Sequence, residues 1–292
     1  MERKQEERVG ESLTLPNLSQ SKPAVNQRSK MTEFVRRKAL QILPSVTLFV
    51  VFFGAWELIL RLADIAPFIF PKPSDIVVAA QGNWVNLLGA AQATTTGALA
   101  GFAISTVLAI SMAIILSLSK WIEKSVYPYI VILQTIPIVA VIPIIVIWFG
   151  AGIQSIIIVV FLISFFPILT NTLIGLNSTD QNMKNLFYLY NASRFQTIFK
   201  LRIPAALPYI VAGLKISCTL AFIGAIVGEY MAGIGGAEGG LGQAITVAAT
   251  RLETPYLFAC GLTASLLSVT VYQIVTKLSE RMLSSWHESE MK

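Results

Sequence analysis

Charge is scarce in this 292-residue chain: 13% of its residues are Asp, Glu, Lys or Arg, against 54% hydrophobic. An ordinary soluble domain carries roughly twice that charge, so the composition points to lipid as the solvent. Histidine occurs once, as His287 in the charged C-terminal tail beside Glu288. A Ser-His or Cys-His catalytic pair therefore has no base within the apolar segments, and His287 reads as a solvated surface residue. Cysteine occurs twice, as Cys218 and Cys260, without CxxC or Cys/His spacing. That argues against a zinc site and for two packing residues. No GxxxxGK[ST] run is present, so the chain has no P-loop of its own. The first 42 residues lack an apolar core and are expected to be neither a cleavable signal nor a lipoprotein signal, but a polar, basic, partly disordered tail.

What is abundant is apolar sequence in long runs. A helix needs about 20 mostly apolar residues to cross a bilayer, and such runs lie near 43–63, 95–118, 127–149, 154–176, 206–228 and 256–277. The fold class expected is all-α, a polytopic membrane protein with about six transmembrane helices. Only Gly150-Ala151-Gly152 separates the third run from the fourth, as a broken helix or as a tight hairpin. The hairpin is preferred, because the joined run is far too long for one span. Nine basic residues precede the first span, including Arg36-Arg37-Lys38 directly before it, which assigns the N-terminus to the cytoplasm. Six spans then place 118–126, 177–205 and the C-terminal tail on that side, and only Arg61, Lys72 and Arg251 fall in segments on the other. The organisation expected is a cytoplasmic tail (1–42), a transmembrane domain (43–278) containing the cytoplasmic loop 177–205, and a cytoplasmic tail (279–292).

Polar groups within spans are costly and are weighed singly. Glu57 follows Trp56 in the first span, and Lys215 sits early enough in the fifth for its stem to snorkel to the cytoplasmic surface. Glu229 ends the fifth span, before the glycine-rich stretch Gly233 to Gly242, and reads either as a lining or gating group at the outer mouth or as an interfacial anchor. Pro137 and Pro143 are expected to kink the third span, which carries Gln134. Gln134, Pro137 and Glu229 are the candidate pathway residues, with a simple packing kink as the alternative for the first two.

The loop 177–205 is patterned. Ser178 and Gln181 have capping-box spacing, and Met183, Leu186, Phe187 and Tyr190 recur at helical intervals until Asn191, which tolerates the left-handed conformation that closes a helix. A second capping box, Ser193 with Gln196, opens another short helix with Phe195, Ile198 and Phe199 on one face, expected to stop at Pro204. Such a helix pair either lies on anionic headgroups through Arg194, Lys200 and Arg202, or docks a cytoplasmic partner through aromatic and arginine anchors.

From Asn191-Ala192-Ser193-Arg194-Phe195 through Lys200 and Ile203-Pro204-Ala205-Ala206-Leu207-Pro208 to Gly213-Leu214-Lys215, the sequence resembles the EAA loop of bacterial ABC importer permeases. It is most similar to the nitrate/sulfonate/taurine/bicarbonate branch, which also includes permeases for thiamine-pyrimidine and flavin precursors. Phe68-Ile69-Phe70-Pro71-Lys72-Pro73-Ser74, Gln134-Thr135-Ile136-Pro137 with Trp148-Phe149-Gly150, Phe166-Pro167 with Asn171-Thr172, and Gly228-Glu229 with Gly239-Gly240-Leu241-Gly242 resemble further motifs of that branch. The likeness covers about residues 50–278.

The resemblance implies a type I permease fold in the bacterial inner membrane, with no catalysis by this chain. It further implies a homodimer of permeases, two ABC ATPase subunits that bind ATP and Mg, and an external substrate-binding protein, with membrane lipids but no nucleic acid as further partners. The coupling loop would comprise Asn185, Leu186, Phe187, Asn191, Ala192, Ser193, Arg194, Phe195, Lys200 and Pro204. Two departures stand out: the branch's glycine is Asn191, and its Glu-Ala-Ala is Asn185-Leu186-Phe187. These suggest a specialised ATPase partner. Substrates implied are a small anion or a pyrimidine or flavin precursor. An ion-coupled secondary transporter is the alternative, but no internal repeat supports it.

Overall fold

A computed structural model describes residues 27–232 and 239–287. Residues 1–26, 233–238 and 288–292 lie outside the described residues; they include most of the basic N-terminal tail, much of the glycine-rich stretch after Glu229, and the end of the C-terminal tail. Eleven helices follow in order among the described residues: α1 (Gln27–Leu62), α2 (Pro73–Gly82), α3 (Trp84–Ser117), α4 (Lys120–Gln134), α5 (Ile138–Phe149), α6 (Ile153–Asn177), α7 (Gln181–Leu189), α8 (Arg194–Thr197), α9 (Ile203–Ala232), α10 (Leu241–Thr250) and α11 (Thr254–His287). The chain divides after Ala55 into two compact units. In the first, α1 is already helical at Gln27, well inside the segment expected to be a polar tail, and its apolar stretch from Leu43 exposes Leu48, Phe49, Val50 and Val51.

The second unit is built around α3, α6 and α9, with α11 against α9 and α10. α3, α6, α11 and the run Arg194–Ala232 are each long and apolar enough to cross a membrane, and α4 with α5 forms a bent pair of the same character. With the apolar stretch of α1, this agrees with about six spans. Lipid offers no hydrophobic drive between helices, so close packing and interhelical hydrogen bonds must hold them together. Small residues let the helices approach: a Cβ on Gly101 would lie 2.6 Å from Val160 Cβ, and one on Gly213 would lie 3.2 Å from the Ile168 Cα. Hydroxyls complete the joints. Ser105 Oγ donates across to the Phe161 carbonyl (3.0 Å), and Ser217 Oγ donates to the Ser164 carbonyl (2.8 Å). Replacing Gly101 by leucine is therefore expected to separate α3 from α6 and destabilise the protein by about 3 kcal/mol or more, at the upper end of overpacking costs. The check is a thermal shift of the detergent-solubilised chain.

The expected shape of the third span and the extent of the helices between and before the spans need correction, while the preferred hairpin at Gly150-Ala151-Gly152 is present. The third span is not one kinked helix: α4 and α5 meet at a 90° bend across Thr135–Pro137. Proline cannot donate a backbone bond and drives the preceding residue out of helical geometry, so Ile136-Pro137 ends one helix and begins the next. Pro143, by contrast, sits inside α5 without breaking it. The α5–α6 connection is a hairpin whose turn uses Gly150 at φ 85°, and Ile142 and Ile145 pack on Val159 across it. Finally, α2 and α10 are short helices in segments between the expected spans, and α3 begins eleven residues before its expected span.

The end of the unit near α2 is tied by side chains. Glu57 accepts from the Ser74 backbone N–H (3.1 Å) and hydroxyl (2.8 Å) at the first turn of α2, and from Arg61 Nε at 2.7 Å. A carboxylate there complements the positive end of the helix. The Phe70 ring stacks on Trp56 (centroids 5.4 Å) and meets Phe258 edge-on (5.8 Å), while Thr254 Oγ1 donates to the Phe68 carbonyl. The Phe68–Ser74 motif thus joins the end of α1 to the start of α11.

Candidate functional site

The helix pair at 181–202 is shaped by its caps. Asp180, not Ser178, is the N-cap of α7: its carboxylate accepts from the N–H groups of Asn182 (2.7 Å) and Met183 (3.2 Å). Ser178 instead turns back and donates to the Gly175 carbonyl at the end of α6. α7 closes through Asn191 at φ 52°, the left-handed geometry asparagine tolerates. Ser193 and Gln196 then form a reciprocal capping box, with Gln196 N–H to Ser193 Oγ at 3.2 Å and Ser193 N–H to Gln196 Oε1 at 2.8 Å.

Pro204 does not stop the second helix. Residues Ile198–Arg202 form one widened π-helical turn that passes without interruption into α9. An ordinary turn would press the Pro204 ring against the carbonyl of Lys200, and the wider turn relieves that clash. The loop's second helix is therefore one continuous lever with α9.

The lever is fastened at its base by Arg202, which the sequence had offered only as a headgroup contact. Its guanidinium donates to the Leu176 carbonyl (2.9 Å), the Ser117 carbonyl (2.8 Å) and Asn177 Oδ1 (3.1 Å). The two carbonyls belong to the last turns of α6 and α3, where acceptors lack intrahelical donors and the dipole is negative. Asn177 extends the joint: its Oδ1 also accepts from Lys120 Nζ (2.7 Å), and its Nδ2 donates to Glu123 (2.7 Å), which pairs with Lys120. Burial, with the nearby charges of Arg202 and Lys120, lowers the Lys184 ammonium from its ordinary value.

Beyond this base the pair presents apolar side chains outward. Tyr188 (82%), Leu189 (76%), Tyr190 (79%) and Phe195 (69%) are largely exposed, and the Phe195 and Phe199 rings lie 4.3 Å apart. Of the residues assigned to the loop from sequence, Asn185, Leu186, Asn191, Ser193, Arg194, Phe195 and Lys200 are exposed, while Phe187, Ala192 and Pro204 are half-buried at the joint.

At the other end of α9 the structure brings Glu229, but neither Gln134 nor Pro137, to the wall of a cavity of about 1200 Å³ between α3, α9 and α10. Gln134 and Pro137 are exposed at the α4–α5 bend. Glu229 is buried, and its Oε2 accepts from Thr94 Oγ1 (2.9 Å) and the Gly242 N–H (2.8 Å); Thr94 Oγ1 accepts in turn from the Leu241 N–H (2.8 Å). Thr94, on α3, was invisible in the sequence as Glu229's partner, because 135 residues separate the two.

A bundle of apolar helices with a cavity at one end of α9 and an exposed apolar helix pair at the other has the form of a membrane transport subunit. The chain belongs to the family described as the binding-protein-dependent transport system inner membrane component, which matches residues 105–284. It is a multi-pass permease subunit of ABC-type importers, located in the inner membrane. Its relatives include the formylaminopyrimidine transport permease protein ThiX of Halalkalibacterium halodurans, 34% identical over 87% of this chain and 100% of that protein. The riboflavin transport system permease protein RibX of Chloroflexus aurantiacus is 32% identical over 80% of this chain and 86% of that protein. The taurine transport system permease protein TauC of Escherichia coli is 27% identical over 85% and 90% respectively.

Proposed function

We propose that two copies of this chain form the translocation pathway of an ATP-driven importer, with both termini and the α7–α8 pair in the cytoplasm. Two ABC ATPase subunits carrying ATP and Mg dock on the helix pairs, and an external binding protein delivers the solute. The observation that carries this reading is the set of exposed aromatics at Tyr188, Tyr190 and Phe195, the last on a helix continuous with α9 and fastened to α3 and α6 by Arg202. Aromatic and arginine side chains dominate interface energetics. When the ATPases close, such a segment moves as a rigid body and carries α9 with it. Asn185, Leu186 and Phe187, in place of Glu-Ala-Ala, make the first helix bulkier and remove the carboxylate at that position, which fits an ATPase with a more apolar groove.

The solute class we favour is a pyrimidine or flavin precursor rather than a small anion. The relatives named for formylaminopyrimidine and riboflavin transport are 34% and 32% identical, against 27% for the taurine permease. Purification of the tagged chain from its native membrane is expected to bring down a P-loop ATPase and a binding protein. A solitary chain, active in vesicles without ATP, would instead support ion-coupled transport.

A further inference from the structure

The cavity beside Glu229 is lined by groups of a particular kind. Asn86, Gln92 and Thr96 recur along one face of α3, Gln243 faces them from α10, and Tyr256 lies on the wall from α11. Asn86, Gln92 and Thr96 are exposed, although α3 is otherwise an apolar membrane helix. A helix of 34 residues is longer than a bilayer core, and this polar end of it, mostly ahead of the span expected at 95–118, gives the cavity a water-accessible wall. Amides both donate and accept, so this face can exchange hydrogen bonds with a solute that also does both.

The charges on the wall point the same way. Among the described residues the lining holds one cation, Arg251, against two acidic residues, Glu229 and Glu253. Glu229 is fixed through Oε2, while its Oε1 is buried with no hydrogen-bond partner among the described residues, lying against Gly240, where any Cβ would collide with the carboxylate. The buried Oε1 does not itself meet a solute, but a wall in which cations do not outnumber acidic residues offers an anion no surplus of positive charge, and the amide face suits a neutral solute that both donates and accepts.

We propose that this cavity is a selectivity site within the permease, at which a neutral planar heterocycle bearing N–H donors and carbonyl or ring-nitrogen acceptors is held in passage by Gln92, Gln243 and Tyr256. The proposal rests on the importer reading and on the solute class above, and adds that the permease, and not the binding protein alone, discriminates. The cavity, at about 1200 Å³, admits such a solute together with water, since pockets for drug-sized ligands span about 300–1,000 Å³.

The test uses the complete transporter in proteoliposomes, with formylaminopyrimidine, riboflavin and taurine as probes. Gln92→Leu and Gln243→Leu remove hydrogen-bonding groups from exposed or half-exposed positions and keep the side-chain volume. Each is expected to lower formylaminopyrimidine uptake about tenfold, while ATP hydrolysis stimulated by the binding protein stays within about twofold. Gln243→Asn, which retains the amide, is expected to keep most of the uptake. Unchanged uptake in both leucine variants would overturn the selectivity site, as would ATP hydrolysis falling in step with uptake, because that marks a structural defect. A wild-type transporter that imports taurine and neither heterocycle would overturn the solute class itself, a failure visible before any variant is made.

Discussion

Replacing Arg202 by alanine is expected to lower ATP-driven uptake at least about tenfold and to destabilise the permease by about 3 kcal/mol, and replacement by lysine is expected to restore little of either. Three acceptors on two helices converge on this one guanidinium: the Leu176 and Ser117 carbonyls and Asn177 Oδ1. Removing it leaves the Ser117 carbonyl without this donor and the Leu176 carbonyl with only a long bond from Thr179 Oγ1 (3.5 Å) in a partly buried joint, and the cost of a stranded acceptor exceeds the worth of the bond itself. Lysine offers a single compact charge and cannot span acceptors that diverge from a planar fork. Mechanically, the loss frees the π-helical turn from α3 and α6, so that a push on the helix pair bends the joint without turning α9. Uptake in proteoliposomes and a thermal melt of the purified chain measure the two effects. An Arg202→Lys variant with wild-type uptake would show that charge alone suffices and that the fork does not transmit the motion.

How far the sequence could be read follows from the range of the interactions involved. Local chemistry was legible: the Ser193–Gln196 box and the left-handed Asn191 each depend on residues within three or four positions, and both are present. The apolar runs announced the membrane helices because lipid imposes length and composition on each span separately. Proline was harder to interpret, since its effect depends on what the chain does around it. Pro137 separates two helices, Pro143 is absorbed within α5, and Pro204 is carried by a widened turn. Ser178 and Asp180 competed for one cap, and the better acceptor at the start of α7 prevailed over the capping-box spacing. Contacts between distant segments left no trace at all. Arg202 looked like one more basic residue beside a membrane, and only the convergence of α3 and α6 upon it reveals a structural fastener. Glu229 drew notice for its charge, yet the Thr94 and Gly242 contacts that hold it appear only once α3, α9 and α10 are assembled.

Phe195→Asp should break ATPase docking and leave the permease itself intact, the reverse of the Arg202 pattern. The Phe195 side chain is largely exposed, so aspartate there empties no core, and a surface substitution away from such features costs within about 0.5 kcal/mol of stability. At an interface the same change removes an aromatic anchor and places a charge where desolvation is required, a loss of about 2 kcal/mol or more, or roughly thirtyfold in affinity. Arg194→Asp reverses a neighbouring exposed charge and is expected to act in the same direction. Co-purification of the ATPase in detergent, compared with membrane insertion and thermal stability, gives the check. The detergent matters, because a helix pair that merely rested on anionic headgroups would lose its partner lipids in every variant alike. Retention of the ATPase by both variants, with transport intact, would therefore return the helix pair to the membrane surface and remove it from the coupling path.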